Sequence, residues 1–385
     1  MAWIYAISVW ATYAIMHECH WHDKLYGIAI RLAIVMDAIA CSIGLCARTP
    51  QRNPDWHIAV PVSLLFLGLA LYCIVQTRRI DVVGSEPPKY GKDSSTWMKD
   101  KVVVITGANS GIGKETAQQL AGMGATVILA CRSQARAEQA MAEIRQSSSN
   151  ITEKQLVFLE CDLGNLASVR KAAQILAEKK ITINVLINNA GVMMAKKTIT
   201  KDGFELTMQA NHLGHFLLTV LLLPLFADED VRVLSLTSST YEMASKGFDF
   251  EDMFCDKSRS YTLFGQYAMS KLANILFVKE LNQRYGKRLK AFAVHPGIVR
   301  TEVVRNMPWY LRYPNRIFAY GVAACQKTPQ QGAYCSVHCA ASPTPPASGS
   351  YVVDCREYPE LPCASSVEDA KRLWEVSAAL LKWKD

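Results

Sequence analysis

The chain has 385 residues, half of them hydrophobic and a fifth charged, enough for one large domain with an appendage or for two small ones. Its net charge of +8 is modest, and no Lys/Arg block or basic–aromatic interleaving marks a nucleic-acid partner. Twelve cysteines are scattered without a C-x-x-C pair; Cys335 and Cys339, at i,i+4 spacing, read as reduced, buried thiols of a cytosolic compartment rather than as a disulfide or metal pair.

Residues 1–80 differ in composition from the rest. Ile58–Val75 spans 18 residues without a charge, eleven of them Ile, Leu, Val or Phe, and Arg78 and Arg79 follow at once. Each such residue favours insertion by roughly 0.3–0.6 kcal/mol, and the length nearly crosses a bilayer core. Leu25–Cys46 is also apolar but carries Arg31 and Asp37, each costing about 2.5–3.5 kcal/mol at mid-membrane. It reads as a second span in which the charges pair or Arg31 snorkels. Met1–Met16 is apolar but short and lacks a positive leader; a third span and an interfacial segment both remain open. Basic residues after Ile58–Val75 (Arg78, Arg79, Lys89, Lys92, Lys99, Lys101) exceed those before it (Arg48, Arg52), which places the C-terminal bulk on the cytoplasmic side. His17, Cys19, His20 and His22 have ligand chemistry, but their position reads first as a polar turn; no metal is expected. Residues 81–100, with Gly84, Pro87, Pro88, Gly91, Ser94 and Ser95, read as a linker.

From Lys101 to the end, strands and helices alternate. Val102–Ile105 is a β-branched run of the kind buried on both faces of a parallel sheet. Gly107, Gly111 and Gly113 follow, then a helical pattern over Lys114–Leu120. Strand, glycine turn and helix start together form a cradle where backbone N–H groups and the helix dipole attract phosphate. The spacing is G-x-x-x-G-x-G. Further strands are expected at Thr126–Cys131, Gln155–Glu160, Asn184–Ile187, Val231–Leu236 and Lys290–Val294. Helices are expected at Ser133–Gln146, Leu166–Lys179, Gly203–Phe226 and Gly265–Tyr285. This alternation predicts a Rossmann-type doubly wound parallel sheet of about seven strands behind the membrane anchor, with ligands gathered beyond the carboxyl ends of the strands. Ser365 with Glu368 predicts a capped terminal helix whose apolar face holds Val367, Ala370, Leu373, Trp374, Leu380 and Leu381.

Tyr267 and Lys271 carry the sharpest chemistry. At i,i+4 on a helix they share one face, so the ammonium lies near the phenol. A neighbouring cation favours the phenolate, lowering a pKa that is ordinarily about 10. Ser238 and Ser239 close the fifth strand and could bond a substrate oxygen, and Asn211 is a polar residue in an apolar helix. Each alone has a dull explanation: a solvated helix face, turn residues, a helix kink. Their joint placement at the sheet ends makes the functional reading the better one.

TGANSGIG at 106–113, NNAG at 188–191, Asn211, the serines after the fifth strand, YAMSK at 267–271 and HPGIVRTE at 295–302 together resemble the short-chain dehydrogenase/reductase superfamily. LINNAGVMM at 186–194, DGFE at 202–205, NHLGHFLLT at 211–219 and SKLANILF at 270–277 resemble its membrane-bound retinol dehydrogenase group. The likeness covers residues 100–385. It implies Tyr267 as general acid/base, Lys271 lowering its pKa and holding the nicotinamide ribose, and Ser239 rather than Ser238 positioning the substrate oxygen. Asn211 would support a water-linked proton relay. Gly107, Gly111, Ile112 and Gly113 would contact the pyrophosphate, with Asn109 and Ser110 of the same turn in the cofactor set. Asp162 and Leu163 would meet the adenine, Asn189, Ala190 and Gly191 its ribose, and Pro296, Gly297 and Thr301 the nicotinamide amide. One departure is the 28-residue separation of Ser239 and Tyr267, with Tyr241–Tyr261 inserted between them.

An NAD enzyme places an acid at the end of the second strand. Here that strand ends Cys131-Arg132-Ser133, and arginine suits a 2′-phosphate, so the expected cofactor is NADP(H). Met307–Val322 is aromatic and apolar and lies where this family places its substrate lid. A lipophilic substrate such as a retinoid, isoprenoid or steroid, delivered from the endoplasmic reticulum membrane, fits it; packing of these aromatics on the core or bilayer is the plainer alternative. A non-catalytic NADP(H) sensor is the competing class of function, and a homodimer is compatible with the resemblance.

Overall fold

Val103, Val104 and Ile105 are fully buried in the first strand, β1 (Val102–Thr106), as the uninterrupted apolar run requires. In the computed structural model the described residues are 97–257, 260–299 and 327–384, all within one unit of the chain, Gly84–Asp385. The expected membrane segments of residues 1–80, most of the linker, Thr301 and Met307–Val322 lie outside them.

Seven strands run parallel: β1, β2 (Thr126–Cys131), β3 (Leu156–Glu160), β4 (Val185–Asn188), β5 (Val231–Leu236), β6 (Leu289–His295) and β7 (Tyr351–Val353). An eighth, β8 (Arg356–Glu357), pairs antiparallel with β7 at the edge, giving the order β3-β2-β1-β4-β5-β6-β7-β8. The expected parallel sheet of about seven strands is present, and the edge hairpin adds an antiparallel eighth that the sequence did not show. Its strands are too short to show a period, and its turn residues, Asp354 and Cys355, take positive φ of 49° and 63° without a glycine to signal it.

Helices cover both faces: α1 (Gly111–Gly122), α2 (Gln134–Ser147), α3 (Leu166–Glu178), α4 (Leu206–Leu225), α5 (Leu263–Tyr285), α6 (Pro329–Ala341) and α7 (Val367–Leu380). Alternate residues along each strand face opposite layers. Val103, Ile105, Val127 and Leu129 pack with Leu120 of α1, Ile144 of α2 and Val337 of α6. On the opposite face, Thr106 reaches His215 of α4. The sheet order reverses between β1 and β4, so the crevice at their carboxyl ends is the natural ligand site.

Several boundaries move for physical reasons. The helix expected from Lys114 begins at Gly111, because the last turn of the glycine cradle is already helical. The terminal helix is capped by Ser366, whose side chain accepts from the Asp369 N–H, and not by Ser365. Val367, expected on the apolar face, is 72% exposed, while Leu373 and Trp374 are buried. Leu206–Leu225 is long and apolar enough to cross a membrane, yet 89% of its apolar window is buried inside the protein; it is the central core helix. Phe277 of α5 stacks on Trp374 at 5.9 Å, and Phe216 of α4 meets the same indole edge-on at 4.8 Å. His212 joins this seam through a 2.9 Å hydrogen bond to Ser377.

Candidate active site

The glycine turn sits directly beyond β1. Gly107 adopts φ +64°, the left-handed region that glycine enters without steric cost. A Cβ at Gly113 would lie 2.5 Å from Asn189 Nδ2 and 2.6 Å from the Gly107 carbonyl, so no larger residue closes this turn. The Asn189 amide donates to the Thr106 carbonyl at 2.8 Å. The Thr106 hydroxyl accepts from the backbone N–H groups of Asn189 and Ala190 at 2.9 and 3.0 Å. The ends of β1 and β4 are thereby stitched into one floor beneath the cradle.

The cradle fits an anionic dinucleotide. Neither α1 nor α2 has an acidic residue in its first turn, and the N-cap side chains of Ser110 and Ser133 make no capping bond. Both helix starts therefore keep their positive end unopposed, with two hydroxyls free to bind phosphate. Asn109, Gly111 and Ile112 complete the turn, and Arg132 lies exposed just past β2. Asp162 is half-buried, its carboxylate accepting from the Gly164 N–H at 3.0 Å; Leu163 is buried and its carbonyl accepts from Gln209.

At the ends of β4 and β5, Gly191, Asn211 and Lys271 converge. A side chain at Gly191 would begin 3.6 Å from both Asn211 Oδ1 and Lys271 Nζ. Lys271 donates to the Leu236 carbonyl at 2.9 Å, with its ammonium 5.4 Å from the centre of the Tyr267 ring. Tyr267 and Lys271 thus share one face of α5, as their spacing predicts. Their electrostatics differ from the expectation. Burial pushes the Tyr267 phenol up to about 12 and brings the Lys271 ammonium down to about 8, because both charged forms lose water. In the protein alone, desolvation of the phenolate sets the direction of the shift, opposite to the one expected from the neighbouring cation.

The two serines are distinguished by their bonds. Ser238 caps the short 3₁₀ helix Ser239–Ala244, accepting from the Thr240 N–H and pairing with the Thr240 hydroxyl at 2.9 Å. Ser239 makes no hydrogen bond through its hydroxyl to the described residues, and its helix packs against α5. The inserted segment between them is anchored: Tyr261 donates to the Met194 carbonyl at 2.8 Å, and Phe248, Met253 and Cys255 are buried. Asn211 lies in a π-helical stretch, Gln209–Leu213, a widened turn common at functional sites. Its amide grips the Val192 backbone, accepting from the N–H at 2.8 Å and donating to the carbonyl at 2.9 Å, and donates also to Ser270 at 3.0 Å. Its side chain is thus committed to holding the chain after NNAG, which leaves the backbone of the widened turn, rather than the amide, to serve a relay. Beyond β6, Pro296 precedes Gly297 at φ +88°, which packs on the stem of buried Lys327; that ammonium pairs with Asp354.

Sequence reasoning missed Thr106, Glu205, His215 and Gln266. Glu205 is fully buried, caps α4 through bonds to the N–H groups of Thr207 and Met208 at 2.8 Å each, and accepts from Gln266 at 2.9 Å. The only signal was position: Thr106 precedes the first glycine, and Gln266 precedes Tyr267.

The free cysteines Cys335 and Cys339 are buried in α6, as read from their spacing. The short chain dehydrogenase family matches this chain over residues 101–249. Human retinol dehydrogenase 12 is 43% identical over 297 residues, covering 76% of this chain and 90% of that protein. Mouse retinol dehydrogenase 14 is 40% identical over 328 residues, covering 83% and 96%. Among solved structures, an uncharacterised protein from Mycobacterium paratuberculosis superposes with a TM-score of 0.59 at 32% identity, covering 74% of this chain and 95% of that one.

Proposed function

The chain belongs to the short-chain dehydrogenases, on their retinol dehydrogenase-like branch, and from that premise we propose that it is a membrane-anchored oxidoreductase moving hydride between NADP(H) and a lipophilic alcohol, aldehyde or ketone of retinoid type. The observation that carries the chemistry is the Tyr267–Lys271 pair beyond the end of β5, a half-buried phenol with the buried ammonium 5.4 Å from the centre of its ring. When bound, the nicotinamide supplies or accepts the hydride. Tyr267 Oη passes the accompanying proton to or from the substrate oxygen, acting as general acid in reduction and general base in oxidation. Ser239 Oγ, free of capping duty, holds that oxygen in line. Lys271 Nζ keeps a partial positive field beside the phenol and binds the nucleotide ribose. Asn211 fixes the Val192 backbone and links to the proton relay. Gly107, Asn109, Ser110, Gly111, Ile112 and Gly113 hold the pyrophosphate, Asp162, Leu163, Asn189, Ala190 and Gly191 the adenosine end, and Pro296, Gly297 and Thr301 the nicotinamide amide.

Arg132 with Ser133 supports NADP(H) over NAD(H): the acid that would bond a free ribose 2′-OH is missing, and a guanidinium binds a 2′-phosphate with two charge-assisted bonds. Residues 1–80 are assigned to the anchor, 81–100 to a linker and 101–385 to the catalytic domain, which faces the cytosol from the endoplasmic reticulum. Reduction of another lipid carbonyl is the alternative substrate reading.

The test uses detergent-solubilised full chain with NADPH or NADH against all-trans-retinal and a panel of steroid and long-chain carbonyls. NADPH oxidation with retinal, lost in Tyr267→Phe while NADPH binding persists, is the expected result, and Arg132→Glu should shift preference toward NADH. Full activity in Tyr267→Phe overturns the mechanism. Turnover of a different carbonyl alone removes the retinoid assignment.

A further inference from the structure

The reaction scheme gives no task to His215, one turn beyond Asn211 on α4. Its ring is 1% exposed, and both nitrogens are bonded. Nδ1 lies 3.0 Å from the backbone carbonyl of Asn211, and Nε2 lies 2.8 Å from the Thr106 hydroxyl. A carbonyl only accepts, so Nδ1 carries the proton and Nε2 accepts from Thr106. The Thr106 oxygen in turn accepts from the N–H groups of Asn189 and Ala190. Every polar atom in this chain has a partner of the right kind. Burial holds the imidazole near a pKa of about 4, so it stays neutral and is no acid–base group at physiological pH.

The two ends of the imidazole touch different machinery. Thr106 is the residue before Gly107 and forms the floor of the nucleotide cradle. The Asn211 carbonyl belongs to the widened turn whose side chain holds Val192 and Ser270. Two bonds would satisfy a buried imidazole wherever its partners lay; here the partners lie on two different functional turns. We propose that His215 is a positioning residue that couples the nucleotide cradle to the Asn211 turn, each ring nitrogen serving one side. This rests on the function proposed above.

Two amide substitutions cut the ends separately. In His215→Asn the amide nitrogen is as many bonds from the backbone as Nδ1, so the bond to Asn211 is kept and that to Thr106 is lost. In His215→Gln the longer amide reaches Thr106 and loses Asn211. Dissociation constants come from NADPH fluorescence on the purified full chain, and kcat from carbonyl reduction. His215→Asn should weaken NADPH binding about five- to tenfold, the effect of one buried hydrogen bond, with kcat within about twofold. His215→Gln should lower kcat by a similar factor with NADPH affinity nearly kept. Thr106→Val, at the far end of the same bond, should lose at least as much affinity, because it also strips the acceptor from the Asn189 and Ala190 N–H groups, and Thr106→Ser should not; the double variant His215→Asn/Thr106→Val should bind no more weakly than Thr106→Val alone, and additive losses would overturn the coupling. Folded variants that keep wild-type affinity and kcat, or lose both in parallel, overturn the proposal. Wild-type protein that binds neither NADPH nor NADH overturns the underlying function and the coupling with it.

Discussion

Glu205→Ala should unfold this domain more readily than its neutral surroundings suggest. The carboxylate is fully buried with no cation bonded to it among the described residues, and it is held instead by three N–H donors: Thr207 and Met208 at 2.8 Å and the Gln266 amide at 2.9 Å. Losing a helix N-cap costs about 1–2 kcal/mol. Thr207 and Met208 are themselves fully buried, so their N–H groups find no water when the acceptor goes, which adds roughly 1–3 kcal/mol. Gln266 is partly compensated, because its amide also donates to the Met253 carbonyl at 3.0 Å. The sum is about 2–5 kcal/mol, which corresponds to a melting temperature lower by roughly 5–15 °C for a domain of this size. Glu205→Gln keeps the shape but turns an NH₂ toward one of the N–H donors, and should fall between the two. Thermal unfolding followed by circular dichroism, with and without NADPH, gives the comparison. A Glu205→Ala protein melting within about 2 °C of wild type would show that the cap and the Gln266 bond contribute nothing net, and the reasoning would fail.

Acid should destabilise the fold through His212, His215 and His295. All three are buried, and burial lowers them to about 3, 4 and 3. Unfolded histidines take protons below about 6.5, so the stability is complete above that pH and is lost as pH falls toward 4; at pH 5 the loss is about 2 kcal/mol per histidine. Urea midpoints at pH 7.5 and pH 5 measure it, and equal midpoints refute it. Gly113→Ala should abolish tight nucleotide binding while leaving a folded protein, since the new methyl meets Asn189 Nδ2 at 2.5 Å and displaces the amide that ties β4 to the Thr106 carbonyl. Retained wild-type NADPH affinity by fluorescence titration would count against the cradle assignment.

What the sequence made legible was whatever has a short period or a fixed local spacing. The run Val102–Ile105 and the i,i+4 pair Tyr267/Lys271 needed no knowledge of distant residues: the first is a strand and the second shares one helix face, as their spacing predicts. The edge hairpin did not show, because strands of three and two residues have no alternation. The polarity of Tyr267 also could not be read locally: its upward shift to about 12 comes from packing supplied by elements far away in the chain. His215 and Glu205 have the same character. Each matters through a partner that only the tertiary fold brings near, Thr106 for the first and Gln266 for the second. That Ser238 is engaged as a helix cap while Ser239 is not is a feature of local geometry that spacing alone does not reveal.

The seam of Phe216, Phe277 and Trp374 has a consequence for the order in which the protein can be made. Residues 263–285, which carry Tyr267 and Lys271, leave the ribosome well before residues 367–380, so the Phe277 side of α5 stays uncovered during synthesis until the indole that stacks on it at 5.9 Å has emerged. The sheet can assemble progressively, but the Phe277 face of the helix that carries Tyr267 and Lys271 is sealed late. Nascent chains halted before Trp374 would present an apolar strip to solvent, the kind of surface chaperones hold.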